Sequence, residues 1–304
     1  MPDQKVLEVR LISKAIKGKQ ILKDVSLSIV PGEAVGLIGP NGSGKSSLMK
    51  CISTAYKIDS GTIQILGKSV DTQHAEAMRL TGMAIENPAL FPNLTGMDHL
   101  KLYAGYKGCS TSKAELASIL DWCALGDDIY KKTGGYSIGM KQRLALGIAL
   151  LNDPKLILLD EPTNGLDPES VFKLRKLLLE RKQSGVSLLV TSHVLGDLEK
   201  ICDRFLFIQN GMIIDFIERN EIKNRFHSYA FEVEDREAGQ EVLQPYLVKN
   251  EGQYFEVEFP DTETFAKAVN ILTNKTKILD IYRIESDLEA LYKQIYGESN
   301  EQSS

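Results

Sequence analysis

The run "AVGLIGPNGSGKSSLMK" occupies Ala34 to Lys50 and decides the fold. Its first residues are an apolar stretch of the kind that forms a buried strand. A glycine-rich turn follows, made of Gly39, Pro40, Asn41, Gly42, Ser43 and Gly44, and then Lys45, Ser46 and Ser47 open an apolar helical pattern. Strand, turn and helix with the spacing GxxxxGK[ST] are what a phosphate cradle requires. The glycines let backbone N–H groups turn inward around phosphate oxygens, and the helix N-terminus adds partial positive charge. Lys45 is placed to reach the β- and γ-phosphates of a nucleoside triphosphate, and Ser46 to ligate Mg²⁺.

Working outward, "KLILLD" and "VSLLVTSH" are further buried-strand runs, separated by the helical "PESVFKLRKLLLERKQSG". Strands alternating with helices of this length predict parallel βαβ units, an α/β domain. Upstream, "VLEVRLI" and "VSLSI" read as strands, the second closing at Pro31-Gly32, and "GTIQILG" alternates like a half-exposed strand. Residues 88 to 136 read as mostly helical, with a capping box of Ser112 and Glu115, and a further helix runs from Met140 to about Leu151.

Composition changes near Asn220. Beyond it, "SYAFEVE" and "QYFEVEF" alternate at period two. "FAKAVNIL" puts Phe265, Val269 and Leu272 on one helical face, and "DLEALYKQIYG" does the same with Leu288, Leu291, Tyr292 and Ile295. The expected division is therefore 1–220 and 221–304. The second part has the order β-α-β-β-α-β-α, a small α+β module of ferredoxin-like type with a short polar tail.

Acidic chemistry sits at a strand end. "LILLDEP" closes in Asp160 and Glu161. With a phosphate cradle upstream, Asp160 reads as a holder of Mg²⁺ and Glu161 as the general base aimed at an attacking water. His193, directly after an apolar strand and one βα unit beyond Glu161, reads as a sensor of the γ-phosphate.

"YSIGMKQR", Tyr136 to Arg143, resembles the signature of ABC ATPases, usually LSGGQxQR, and begins its Ser 23 residues before Asp160. "NGLDPES" is similar to that family's D-loop and supplies Asp167. Five motifs in family order cover about residues 5 to 220, and they resemble nucleotide-binding subunits of ABC transporters. The resemblance implies a P-loop cassette with a helical subdomain, ATP and Mg²⁺ as ligands, and ATP hydrolysis as the activity. It also implies a head-to-tail pair of cassettes, either two copies of this chain or this chain with a second ABC ATPase. Ser137, Gly139 and Met140 would then act in trans, the helix N-terminus meeting the γ-phosphate held by the opposite P-loop. A separate membrane permease is implied, docking near residues 86–106, where Phe91, Tyr103 and Tyr106 lie.

Four positions depart from the family pattern. Ile138 and Met140 replace the usual Gly and Gln of the signature, Ile16 stands where many relatives carry an adenine-stacking aromatic, and Glu86 occupies the Q-loop position. These variants look like the ATPases of bacitracin and lantibiotic immunity systems, which implies export of a drug, peptide or other amphipathic cargo. By the same likeness Glu86 meets Mg²⁺ and the attacking water.

Bulk properties fit this reading. The 304 residues suffice for one large and one small domain. From Glu221 onward there are 17 acidic and 9 basic residues, a charge of −8, which leaves +3 on the rest. That balance argues against nucleic acid as a partner. The four cysteines show no CxxC spacing, and the start lacks a signal peptide's apolar core. A cytoplasmic protein is expected, peripheral at the inner face of the membrane through its permease. A soluble ABC-type ATPase of translation or DNA repair is the alternative. It is disfavoured by the single cassette and by the roughly 90 residues between P-loop and signature, too few for long coiled coils.

Overall fold

The computed structural model describes residues 5–85, 90–222, 228–284 and 287–301. The chain divides into two compact units, Met1–Phe216 and Ile217–Ser304. The division falls inside the strand Met212–Glu218, a few residues before the expected Asn220.

The first unit opens with β1 (Leu7–Ile16), β2 (Lys19–Ile29), β3 (Ala34–Ile38) and α1 (Lys45–Ile52), then β4 (Ser60–Ile65), β5 (Lys68–Ser69), α2 (His74–Arg79) and β6 (Thr81–Ala84). Helices α3 (Gly96–Lys107), α4 (Lys113–Cys123) and α5 (Ile138–Ala149) follow. The unit finishes with β7 (Leu156–Asp160), α6 (Pro168–Gln183), β8 (Ser187–Thr191), α7 (Leu195–Ile201), β9 (Arg204–Gln209) and β10 (Met212–Glu218).

Two sheets share one apolar core. The antiparallel sheet has the order β2-β1-β4-β5, and the six-stranded sheet has the order β10-β9-β3-β8-β7-β6. Within the latter, β3 pairs in parallel with β8 and β9, and β7 with β6 and β8. Every residue of β3, β7 and β8 is buried, as expected of parallel strands covered on both faces. Leu7, Ile12, Leu37, Leu48, Ile65 and Leu158 are among the side chains filling the core between the sheets and α1. Parallel pairing brings the C-terminal ends of β3, β7 and β8 side by side, with Thr191 in register with both Leu37 and Asp160. In open parallel sheets that edge is where ligands bind.

The helical stretch has its own core, with Leu100, Leu116, Cys123, Leu144 and Leu151 at its centre. A capping box that differs from the expected one opens α3: Thr95 Oγ1 accepts from the Asp98 N–H at 3.0 Å, and Asp98 Oδ2 accepts from the Thr95 N–H at 3.1 Å. At α4 the Leu116 N–H bonds to the Ser112 carbonyl, and the Glu115 side chain lies outside the described residues. Strands β1 and β2 are longer than the apolar runs suggest, and β9–β10 is a hairpin that apolar periodicity around the nucleotide motifs did not single out.

The second unit contains α8 (Arg219–Ile222), β11 (Ser228–Val233), α9 (Arg236–Leu243), β12 (Leu247–Glu251), β13 (Tyr254–Glu258), α10 (Thr262–Lys275), β14 (Ile278–Arg283) and α11 (Asp287–Glu301). Its antiparallel sheet has the order β12-β13-β11-β14, the ferredoxin-like arrangement of a βαββαβ chain. Phe231, Phe255 and Val257 from the sheet and Phe259 just after β13 pack with Leu272 of α10, while Phe265 and Val269 lie at the margin of that core.

Candidate active site

The P-loop residues lie between β3 and α1, as the spacing demands. Gly39 must be glycine: an added Cβ would stand 2.3 Å from the Ile208 carbonyl oxygen and 2.6 Å from Ser43 Oγ. Gly42 (φ 78°) and Gly44 (φ 112°) take the left-handed conformations that turn N–H groups into the loop, and a Cβ on Gly42 would meet open space. Pro40 accepts the Ser43 N–H, Asn41 is exposed at the rim, and Ser46 and Ser47 stand half-buried in the first turn of α1. The Lys45 ammonium is folded onto the loop, donating to the Gly39 carbonyl at 2.6 Å and the Pro40 carbonyl at 3.0 Å. Burial holds its pKa below the ordinary lysine value, while the nearby carboxylates of Glu161 and Asp160 pull the other way.

The loop fits a phosphate chain. Ser43 Oγ is buried and has no hydrogen-bond partner, and Lys45 spends its protons on two carbonyls that anionic oxygens would outcompete.

Asp160 ends β7, nearly fully buried, and its Oδ1 accepts the Thr191 hydroxyl at 2.5 Å. Thr191 Oγ1 in turn accepts the Glu161 N–H at 3.0 Å. Glu161 has φ 52°, a conformation that a non-glycine residue adopts at a cost and that turns its side chain out of the strand direction. Its two oxygens are both engaged: Oε1 with His193 Nε2 at 2.5 Å and Oε2 with the Asn164 amide at 2.5 Å. Lys45, Asp160, Glu161 and His193 thus gather at one end of the central sheet.

The signature residues gather elsewhere. Ser137 is the N-cap of α5, its Oγ accepting from the Met140 N–H at 3.2 Å. Gly139 stands against Gly165, where a Cβ would come 2.8 Å from the Gly165 carbonyl oxygen. Gln142 is buried and donates to the Pro162 carbonyl at 3.1 Å. Among the described residues, the bonds of this turn lead to the loop after Glu161 and not to the P-loop of the same chain. Asp167 caps α6, its carboxylate accepting from the Ser170 N–H and hydroxyl at 2.8 Å each. Those two bonds hold its pKa low. Glu86 lies outside the described residues.

Three residues with evident work in the site, Thr191, Asn164 and Gln142, were not singled out by motif. Gln142 lies inside the signature, and Asn164 opens "NGLDPES". Thr191 carries no local signal, because only the register of two parallel strands places it beside Asp160.

Beside the helical core, a cavity of about 370 Å³ has an apolar floor that includes Met78, Met83 and Tyr103 and a rim that includes Arg79, Tyr106 and Lys107. Burial lowers the Lys107 amine to a pKa of about 8. Its ammonium donates to the Leu151 carbonyl at 3.1 Å.

A family model described as ABC transporter matches residues 22–164. The chain is 33% identical over 300 residues to an uncharacterized ABC transporter ATP-binding protein of Bacillus subtilis (strain 168), covering 98% of each chain. It is 36% identical over 209 residues to a lantibiotic transport ATP-binding protein of Streptococcus pyogenes, covering 69% of this chain and 89% of that one. A solved ATP-binding subunit of an ABC transporter superposes with TM-score 0.67 at 32% identity, covering 72% of this chain and 92% of that one. The chain belongs to the ABC transporter family, as an ATP-binding cassette subunit that is an ATPase. Its fold is the α/β P-loop cassette with a helical subdomain. Among the described residues, no helix is long and apolar enough to cross a membrane.

Proposed function

We propose that this subunit binds and hydrolyses ATP to drive a separate membrane permease that exports a drug, peptide or other amphipathic cargo. The observation that carries the reading is the grouping of P-loop, Asp160, Glu161 and His193 at the carboxyl ends of β3, β7 and β8. The relative named for lantibiotic transport supports the export assignment. None of the relatives described above is named for translation or repair.

In this reading Gly39 to Ser47 cradle the triphosphate and Lys45 moves from its loop carbonyls to the β- and γ-phosphates. Ser46 and Asp160 hold Mg²⁺, which when bound offsets phosphate charge as the γ-phosphoryl leaves. Glu161 accepts the proton of the attacking water, and His193 steadies the carboxylate from its other side. Ser137, Gly139 and Met140, with the free end of α5, complete the ATP site of an opposing cassette, either a second copy or a second ABC ATPase. The cavity over α2, β6 and α3 receives the permease, since it contains Tyr103 and Tyr106 of the expected docking segment. The chain then works peripherally at the cytoplasmic face of the membrane, through that partner.

The test is Glu161→Gln. It retains ATP binding, stops turnover, and accumulates an ATP-bound dimer on gel filtration, because the pair opens only after the γ-phosphate is lost. Turnover at the native rate would remove Glu161 from the mechanism. A variant that stays monomeric with ATP at high concentration would exclude the homodimer and leave pairing with a second cassette.

A further inference from the structure

The cavity over α2, β6 and α3 holds a charge that the ATPase chemistry does not use. Lys107 stands half-buried in the last turn of α3, one turn beyond Tyr103 on the same helical face. Among the described residues its three N–H groups find one acceptor, the Leu151 carbonyl at 3.1 Å. Burial pulls its pKa down to about 8, against a weaker opposing pull from Cys109. Two more bases, His74 and Arg79, line the same cavity, and no carboxylate is among its described lining residues. His74 meets the Thr54 hydroxyl at 2.7 Å; Glu76 feels the Arg79 charge, but its carboxylate is held by Lys68 at 2.7 Å. The floor is apolar, with Met78 from α2, Met83 from β6 and Ile148 from α5. An ammonium set in apolar surroundings without an anion is costly, and an incoming carboxylate offsets that cost through charge-assisted hydrogen bonds. Methionine walls adapt to an alkyl chain. The volume of about 370 Å³ falls in the range of roughly 300–1,000 Å³ for small-molecule sites.

We propose that this cavity binds a small anionic amphiphile, a carboxylate on an alkyl chain, with its head on Lys107 and its tail on Met78, Met83 and Ile148. Each half excludes other ligands. A bare anion gains nothing from the apolar floor, and a neutral alcohol leaves the ammonium without a counter-charge. A cationic amphiphile meets Lys107 and Arg79, both of its own sign. A bound amphiphile and a docked permease exclude each other, a consequence that rests on the permease entering this cavity; the binding itself does not.

The experiment titrates the full chain, isotope-labelled at its methionine methyl groups, with octanoate, octanol, octyltrimethylammonium and acetate, and follows the methyl resonances. Octanoate should shift the Met78 and Met83 methyls saturably and leave Met49, in the core of the first unit, and exposed Met212 unmoved. It should bind at least about tenfold more tightly than octanol, the effect of one hydrogen bond to a charged group. Octyltrimethylammonium and acetate should move neither methyl. Lys107→Met should erase the margin over octanol, and Met78→Trp, which fills the floor, should abolish octanoate binding. Affinity for a fluorescent ATP analogue should hold within twofold in both variants; Lys107→Met decides alone where the tryptophan disturbs the fold. Unmoved Met78 and Met83 methyls overturn the proposal, as does native octanoate affinity in Lys107→Met. Equal affinity for octanol or for the cationic amphiphile overturns the pairing with Lys107. Shifts of the same size at Met212 mark a detergent acting over the whole surface and overturn the site. No arm uses ATP turnover or a permease, so failure here leaves the export reading untouched.

Discussion

Replacing Thr191 with Val keeps the volume and branching of a side chain at the end of β8 and removes only its hydroxyl. That hydroxyl donates to Asp160 Oδ1 at 2.5 Å and accepts the Glu161 N–H at 3.0 Å. The two losses are unequal. The Glu161 N–H keeps a second acceptor in the Thr191 carbonyl at 3.2 Å, whereas the Asp160 carboxylate is only 6% exposed, so solvent has little access to replace the donor. A hydrogen bond to a charged group contributes about 1.5–3 kcal/mol, and stranding one partner in the interior lies toward the upper end. Thr191→Val should therefore destabilise the first unit by about 2–3 kcal/mol, read as a lower urea midpoint at unchanged slope. Because the same hydroxyl fixes both acids, kcat should fall and the Mg²⁺ concentration for half-maximal rate should rise, while Thr191→Ser stays near native on both measures. Native stability and Mg²⁺ dependence in Thr191→Val would refute the claim that this hydroxyl organises Asp160 and Glu161.

Lys107→Met should stabilise the protein by about 1 kcal/mol at pH 7, because it removes an ammonium that burial disfavours and that no carboxylate among the described residues compensates. In the native chain that amine loses its proton above about pH 8 when folded, but only near the ordinary lysine value of 10.5 when unfolded. The unfolded chain thus binds more protons between those values, native stability rises with pH there, and the advantage of Met should shrink. Urea midpoints at pH 7 and 9.5 check it, and a pH-independent difference would be the wrong result. Gly39→Ala should abolish ATP binding, since the new methyl must push the P-loop away from the Ile208 carbonyl; calorimetric titration reads this directly. Ile16→Tyr places a ring at the half-buried end of β1 and should raise ATP affinity up to about tenfold and widen any preference for ATP over GTP, read by titration with each nucleotide.

Much of this molecule is legible from residues close in sequence. Buried strands such as Leu156–Asp160 are unbroken apolar runs, and the βαββαβ module follows from periods of two and 3.6 that no neighbouring element disturbs. The hairpin of β9 and β10 is signalled by Asn210-Gly211, whose φ values of 49° and 77° are those of a tight two-residue turn. The box at Thr95 and Asp98 escaped because aspartate replaces the expected Glu or Gln. Strand β2 extends beyond its apolar run because its first residues, Lys19-Gln20, are polar on an exposed edge. Other features lie beyond any local pattern. Thr191 meets Asp160 across 31 residues by strand register, and Asn164 meets Glu161 only because the backbone at Glu161 curls into positive φ.

The loop from Phe91 to Leu94 is sewn to the stretch before the signature. Thr133 donates through its hydroxyl to the Phe91 carbonyl and through its N–H to the Leu94 carbonyl, and the Gly134 N–H reaches the Pro92 carbonyl. On the other side, buried His99 accepts the Phe91 N–H at 2.8 Å. For anyone building chimeras to re-aim this subunit at a foreign permease, these stitches set the length of the cassette that must be exchanged. A graft ending at Lys107 would bring a new loop against an old Thr133 and Gly134, with donors and acceptors cut for a different mate. A graft running through Tyr136 carries the seam whole, and leaves the cut in front of Ser137, where a helix begins afresh.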